Sequence, residues 1–172
     1  TVPVAVKFYR DAGDKSFQPT NQLMVPQVAA GESYKKMYQE DPDGPQADYA
    51  LLQWSRALGT QNNLNEAIGH LSELQAKFPK SPQASEAAFL IGFYRGSQKQ
   101  YDAAITALTQ VVSKYPQSKD APEALWYGAF FLLAQHHRDQ ALVVLNQLRT
   151  QYPNSLRGQK ATRFIDDLTF KK

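Results

Sequence analysis

The residues of this chain best suited by type to metal or acid–base chemistry are three histidines, His70, His136 and His137, and two aspartates around a glycine, Asp11 and Asp14. None has the company such chemistry needs. Asp11-Ala12-Gly13-Asp14 has the look of a calcium loop, but no downstream glutamate completes the ligand pattern, so a turn is expected. His136 and His137 fall in a polar break between two helical stretches, which predicts solvated side chains with no metal role. His70 lies on the outer side of a helical stretch, and no acidic cluster is read beside it. There is no H-E-x-x-H, no G-x-S-x-G and no glycine-rich phosphate loop. Cysteine is absent, which removes disulfides and thiolate nucleophiles. The expectation is a chain without catalytic residues, metal or cofactor.

The scaffold that carries these groups is more informative. The 172 residues are 42% apolar and 20% charged, in keeping with one folded domain, or one with an appendage. The most apolar run, Ala124 to Ala134, falls short of the ~18 residues that cross a bilayer. A net charge of +3 is unevenly spread. Acids (Glu32, Glu40, Asp41, Asp43, Asp48) gather at residues 31–48, and bases (Arg149, Arg157, Lys160, Arg163, Lys171, Lys172) at 149–172. Scattered charges of this kind read as a solvated face rather than a nucleic-acid footprint. The lack of cysteine suits an oxidising compartment and is also found in cytosolic proteins. Thr1 opens directly into Val-Pro-Val, which reads as no secretory leader or as one already removed.

Internal repetition organises the chain. Phe78-Pro79-Lys80-Ser81, Tyr115-Pro116-Gln117-Ser118 and Tyr152-Pro153-Asn154-Ser155 stand 37 residues apart. The same step relates Ala67, Ala104 and Ala141; Ile68, Ile105 and Leu142; Leu71, Leu108 and Leu145; and Leu74, Val111 and Leu148. In the middle unit, Ala84 to Tyr94 predicts a first helix and Gly96 to Gln100 a break. A second, amphipathic helix is predicted over Tyr101 to Lys114, with apolar residues at i, i+3, i+4 and i+7 spacing. Pro116 ends it. Ser118-Lys119-Asp120 offers caps for the next helix, and Pro122 fits its first turn. A lone helix pair cannot cover its apolar faces, whereas stacked pairs share one core. The fold class expected is all-α: a right-handed solenoid of three helix pairs (about 48–82, 85–119 and 122–155) closed by a capping helix at 156–168. That last helix is read with Ala161, Phe164, Ile165 and Leu168 inward, and with Arg157, Lys160, Arg163, Asp166 and Asp167 on a solvated face.

Residues 1–45 break the pattern and read as an N-terminal appendage to the domain at 46–172. Val2, Val4, Val6 and Phe8 alternate as a strand would, with Ser16 to Gln18 or Leu23 to Val25 as candidate partners. Pro3, Pro19 and Pro26 argue instead for an edge or an irregular wrap. Gly31 to Glu40 is read as a short helix laying Tyr34, Met37 and Tyr38 on the first unit, before the break Asp41-Pro42-Asp43-Gly44-Pro45.

Over about 46–168 these features resemble the tetratricopeptide repeat. Its second-helix alanine matches Ala67, Ala104 and Ala141, its closing proline matches Pro79, Pro116 and Pro153, and its small first-helix residue matches Ser55, Gly92 and Ala129. The tyrosine before the second helix survives only as Tyr101, and the period exceeds the usual 34 by three. The linker Tyr/Phe-Pro-x-Ser-x-x-Ala-x-x-Ala is similar to repeat proteins of the bacterial envelope, such as the periplasmic Tol–Pal coordinator and the outer-membrane assembly lipoprotein of the barrel-insertion machinery.

The resemblance implies a groove lined by the first helices. Its positions fall here on Leu52, Arg56, Glu86, Phe89, Phe93, Glu123, Trp126 and Phe130. Helical periodicity leaves open whether Phe93 and Trp126 face that groove or the core, and whether the appendage fills it. The function implied is a non-catalytic adaptor or scaffold that binds a protein or peptide, placed in the periplasm or at the outer membrane, with a cytoplasmic location the other reading. Two alternatives stand beside it: an accessory domain of a larger enzyme, and a self-assembling scaffold.

Overall fold

The computed structural model describes residues 21–170, with side chains from Ala30 onward. The strand expected at Val2 to Phe8, its partner at Ser16 to Gln18 and the turn at Asp11 to Asp14 lie outside the described residues. Eight helices and no strand are found among the described residues: α1 (Asn21–Glu40), α2 (Ala47–Thr60), α3 (Leu64–Lys77), α4 (Ala84–Ser97), α5 (Tyr101–Lys114), α6 (Asp120–Ala134), α7 (Arg138–Gln151) and α8 (Leu156–Phe170). Pairs α2–α3, α4–α5 and α6–α7 stack as successive layers, each packed on the next, and α8 closes the series.

The 37-residue step sets the local structure as well as the pattern. Within each pair the first helix ends in a Schellman turn. The N–H groups of Asn63, Gln100 and His137 donate to Leu58, Arg95 and Leu132, and the residue before each donor has a positive φ (Asn62 63°, Lys99 63°, His136 62°). Each second helix ends on an aromatic in non-helical backbone (Phe78, Tyr115 and Tyr152, φ −125° to −129°, ψ 52° to 60°), because the proline that follows disfavours another helical residue. Ser155 then caps α8 by accepting from the N–H of Gly158, whereas Ser81 accepts from the N–H of Gln83 just ahead of α4, a helix with no side-chain cap. The expected cap at Ser118-Lys119-Asp120 does not form. Helix α6 has no side-chain cap, and Asp120 is buried, accepting instead from the Ser85 hydroxyl at 2.6 Å.

Small residues let the helices approach. Ala67, Ala104 and Ala141 are fully buried, and a Cβ at Gly92 would sit 2.8 Å from Leu108 and 3.3 Å from the Ala104 carbonyl. Ser55, in register with Gly92, is buried with its hydroxyl donating to Leu51 O at 2.7 Å, so no polar group is stranded there.

The N-terminal side departs from expectation. The helix read over Gly31 to Glu40 runs from Asn21, and Leu23 to Val25, offered as a strand, are helical. The physical reason is packing: Gly31 brings α1 so close to α2 that a Cβ there would lie 2.6 Å from Ala57 Cβ. Helix α1 also keeps the repeat's phase. It ends 37 residues before α3, which itself ends 37 before α5, and it occupies the place a second helix holds in a preceding unit. Lys77 Nζ donates to Pro42 O at 2.8 Å, much as Tyr152 Oη donates to Pro116 O at 2.9 Å two units further on.

Candidate functional site

The first helices α2, α4, α6 and α8 follow one another along the stack, and one packing rule joins the last three. Helices α4 and α6 each receive an aromatic from their successor between two residues a turn apart, while the register residue facing α2 is Leu90. Tyr127 of α6 packs on Phe89 (5.8 Å between ring centroids) and Phe93 (5.0 Å) of α4. Phe164 of α8 packs on Trp126 (5.7 Å) and Phe130 (5.2 Å) of α6. This seam accounts for the burial of Phe89, Phe93 and Trp126: their faces are covered by the next layer. Leu52 is buried too. Of the two arrangements that periodicity left open, the structure has the one in which Phe93 and Trp126 are core.

The remaining positions keep solvent access and form a charged row along the seam. Arg56 of α2 meets Glu86 of α4 at 3.3 Å, and Lys119 approaches the same carboxylate at 3.6 Å. Glu123 of α6 holds Arg157 of α8, whose Nε lies 3.0 Å from both carboxylate oxygens. Phe130 is half-buried at the edge. The expectation of a solvated Arg157 is overturned. It is 5% exposed, with its guanidinium 5.2 Å from the Trp126 ring and 5.7 Å from that of Tyr127. A carboxylate on one side and two aromatic faces on the other make burial tolerable for a guanidinium that hydrates weakly.

Tyr127, Phe164, Lys119 and Arg157 are therefore parts of this face that sequence reasoning missed. For the two aromatics the signal was available, since Leu90, Tyr127 and Phe164 share one register of the 37-residue step.

The histidines fall as follows. His136 and His137 are exposed at a helix–helix turn. His70 does have acidic neighbours, contrary to the reading above: Glu66 at 3.7 Å and Glu73 at 3.6 Å, one helical turn to either side, while its ring stacks on Trp54 at 3.8 Å. Glu73 also accepts a hydrogen bond from Tyr38 Oη. The Tyr38 phenol is raised above its ordinary value, first by burial and then by that bond, with Lys77 opposing. Lys77 is raised in turn, chiefly by its contact with Asp43 at 2.8 Å. Among the described residues no group of three or more His, Cys, Asp or Glu is placed to hold a metal ion, and no helix is long and apolar enough to cross a membrane.

Two family profiles described as tetratricopeptide repeat match the chain, one over residues 49–81 and one over 97–163. The chain carries tetratricopeptide repeats. No curated protein matches it by sequence. Solved structures share its fold. MamA superposes with a TM-score of 0.64 at 18% identity, covering 96% of this chain and 88% of that one. The nearly identical TPR-like repeats of a kinesin light chain-like protein from Podosopora anserina give 0.67 at 14% identity, covering 95% and 81%. Identities this low speak for the fold alone. Repeats of this kind indicate a protein–protein interaction scaffold.

Proposed function

We propose that the chain is a non-catalytic adaptor that holds a partner peptide or helix against its first-helix face, as a subunit of a bacterial cell-envelope complex. The observation that carries the reading is the row Arg56, Glu86, Lys119, Glu123 and Phe130. These side chains from successive repeats lie along one seam and keep solvent access, over a floor of buried aromatics that fixes their spacing. Rigid helix pairs presenting mixed charge and one aromatic edge suit a segment that brings complementary charges and an apolar anchor. Leu52, Phe89, Phe93 and Trp126 serve this face as its supporting layer. Support for the envelope is narrower: the Tyr/Phe-Pro-x-Ser linker and the absence of cysteine.

Site-specific photo-crosslinking tests both parts. A crosslinker at Arg56 or Phe130 is expected to capture one discrete partner, while one at Val143, 68% exposed on a second helix, captures none. Equal capture from both faces, or none from the first, overturns the placement. Fractionation of the source cells that finds the protein in the cytosol overturns the compartment.

A further inference from the structure

The repeat places one site three times, and the three copies differ in a way that assigns a ligand. In the second unit a hollow of about 150 Å³ lies between α3, α4 and α5, lined among others by Gln75, Ile91, Arg95 and Lys114. Thirty-seven residues on, between α5, α6 and α7, the same hollow measures about 350 Å³, and those four positions are Val112, Gly128, Leu132 and Gln151. Side-chain bulk and charge have both been removed. A Cβ at Gly128 would meet nothing within 4 Å, so this buried glycine opens onto empty space rather than relieving a close contact. No charged residue lines the larger hollow; aliphatic walls such as Leu108 and Val144 end at a mouth carrying Gln147 and Gln151.

The first unit shows what fits there. Its residue in register with Gly128 is Trp54, whose indole fills the space between α1 and α3, stacked on His70 at 3.8 Å and tilted against Tyr38 at 6.5 Å. An apolar cavity of roughly 150 Å³ already admits a benzene-sized ring, so about 350 Å³ has room for an indole. Residues 1–172 do not supply that group. Their two tryptophans are Trp54 and Trp126, both already packed in the core, and the same burial denies them to a second copy.

We propose that the third-unit pocket is the docking site for a tryptophan side chain of a different protein, carried on an uncharged segment and entering from the second-helix side. The amides of Gln147 and Gln151, 3.1 Å apart at the mouth, offer partners for the indole N–H. The site lies on the side of α6 away from Trp126 and Phe130, so it stands or falls separately from the first-helix face.

The test uses the full chain, a capped Ser-Gly-Trp-Gly-Ser peptide, the same peptide with alanine in place of tryptophan, and free indole. Methyl NMR follows each titration. The tryptophan peptide is expected to bind saturably and to shift the signals of Val112, Leu132 and Val144, while the alanine peptide does not. Gly128→Trp, which fills the pocket as the first unit does, and Val112→Gln, which restores the second unit's residue on a part-exposed site, each lower that affinity by at least about tenfold while the helical circular-dichroism signal is kept. Lack of saturable binding, or unchanged affinity in both variants, overturns the proposal. So does a shift map centred on Arg56 and Phe130. Binding of free indole with no binding of the peptide makes this a small-molecule cavity and overturns the partner's side chain as its occupant.

Discussion

Replacing Arg157 by methionine isolates the contact that fastens α8 to the stack. The guanidinium is almost wholly buried, shares its Nε–H between two oxygens of Glu123 and lies over two aromatic rings. A hydrogen bond to a charged group contributes about 1.5–3 kcal/mol, and a cation over an aromatic face about 0.5–2 kcal/mol, the upper end where it is desolvated. Methionine keeps most of the packing, and the Glu123 side chain, 32% exposed, can rehydrate once its partner is gone. The net cost expected is therefore about 2–3 kcal/mol, below the 3–5 typical of breaking a fully buried pair. For a chain of this size that is about 5–10 °C in Tm. Glu123→Gln is expected to cost about 1.5–3 kcal/mol, because it leaves the buried guanidinium facing a neutral amide. Urea unfolding followed by circular dichroism, with amide exchange across residues 156–170 as a local readout, completes a double-mutant cycle. A coupling of about 1–2 kcal/mol, with faster exchange confined to α8 and the adjoining α6, is the outcome expected. Single costs that add to within about 0.5 kcal/mol in the double variant refute the reasoning, since the two groups then do not act as a pair.

Further outcomes follow from individual positions. Gly69 lies on exposed helix with nothing near its missing Cβ, so Gly69→Ala raises stability by about 0.5–1 kcal/mol. Gly96→Ala instead drives a methyl to within 2.0–2.5 Å of the buried Phe131 ring and costs about 1–3 kcal/mol; thermal melts of the two variants must move in opposite directions. His136→Val forces a β-branched residue to φ 62° and costs about 1–2 kcal/mol by urea midpoint, whereas His136→Gly does not. Tyr38 and Lys77 are both raised from ordinary values of 10.0 and 10.5, so the fold favours their protonated forms. Their contribution is complete below pH 10 and is lost as pH rises through the folded values. Urea midpoints between pH 8 and 11 should therefore fall above pH 10, and fall less steeply in Tyr38→Phe.

Much of this architecture was legible as arithmetic. The alanines at 67, 104 and 141, the prolines at 79, 116 and 153 and the apolar rows between them determine helix pairs, their breaks and their stacking, because those features rest on local sterics and on periodic burial. The 37-residue step even carries the positive-φ turns at Asn62, Lys99 and His136 and the shared register of Leu90, Tyr127 and Phe164. Local pattern does not say which face of an aromatic-rich helix meets a neighbouring layer. Phe93 and Trp126 are core because Tyr127 and Phe164 arrive from the next helix, and Arg157 leaves solvent because Glu123 and two rings await it 34 residues away in sequence or less. The same holds for α1, whose approach through Gly31 is set by Ala57, and for the third-unit pocket, where one glycine becomes empty space only because the helices on either side are held apart by the rest of the stack. Periodicity along the chain determined the elements; contacts between layers, each made by residues remote in sequence, decided which side chains remain for a partner.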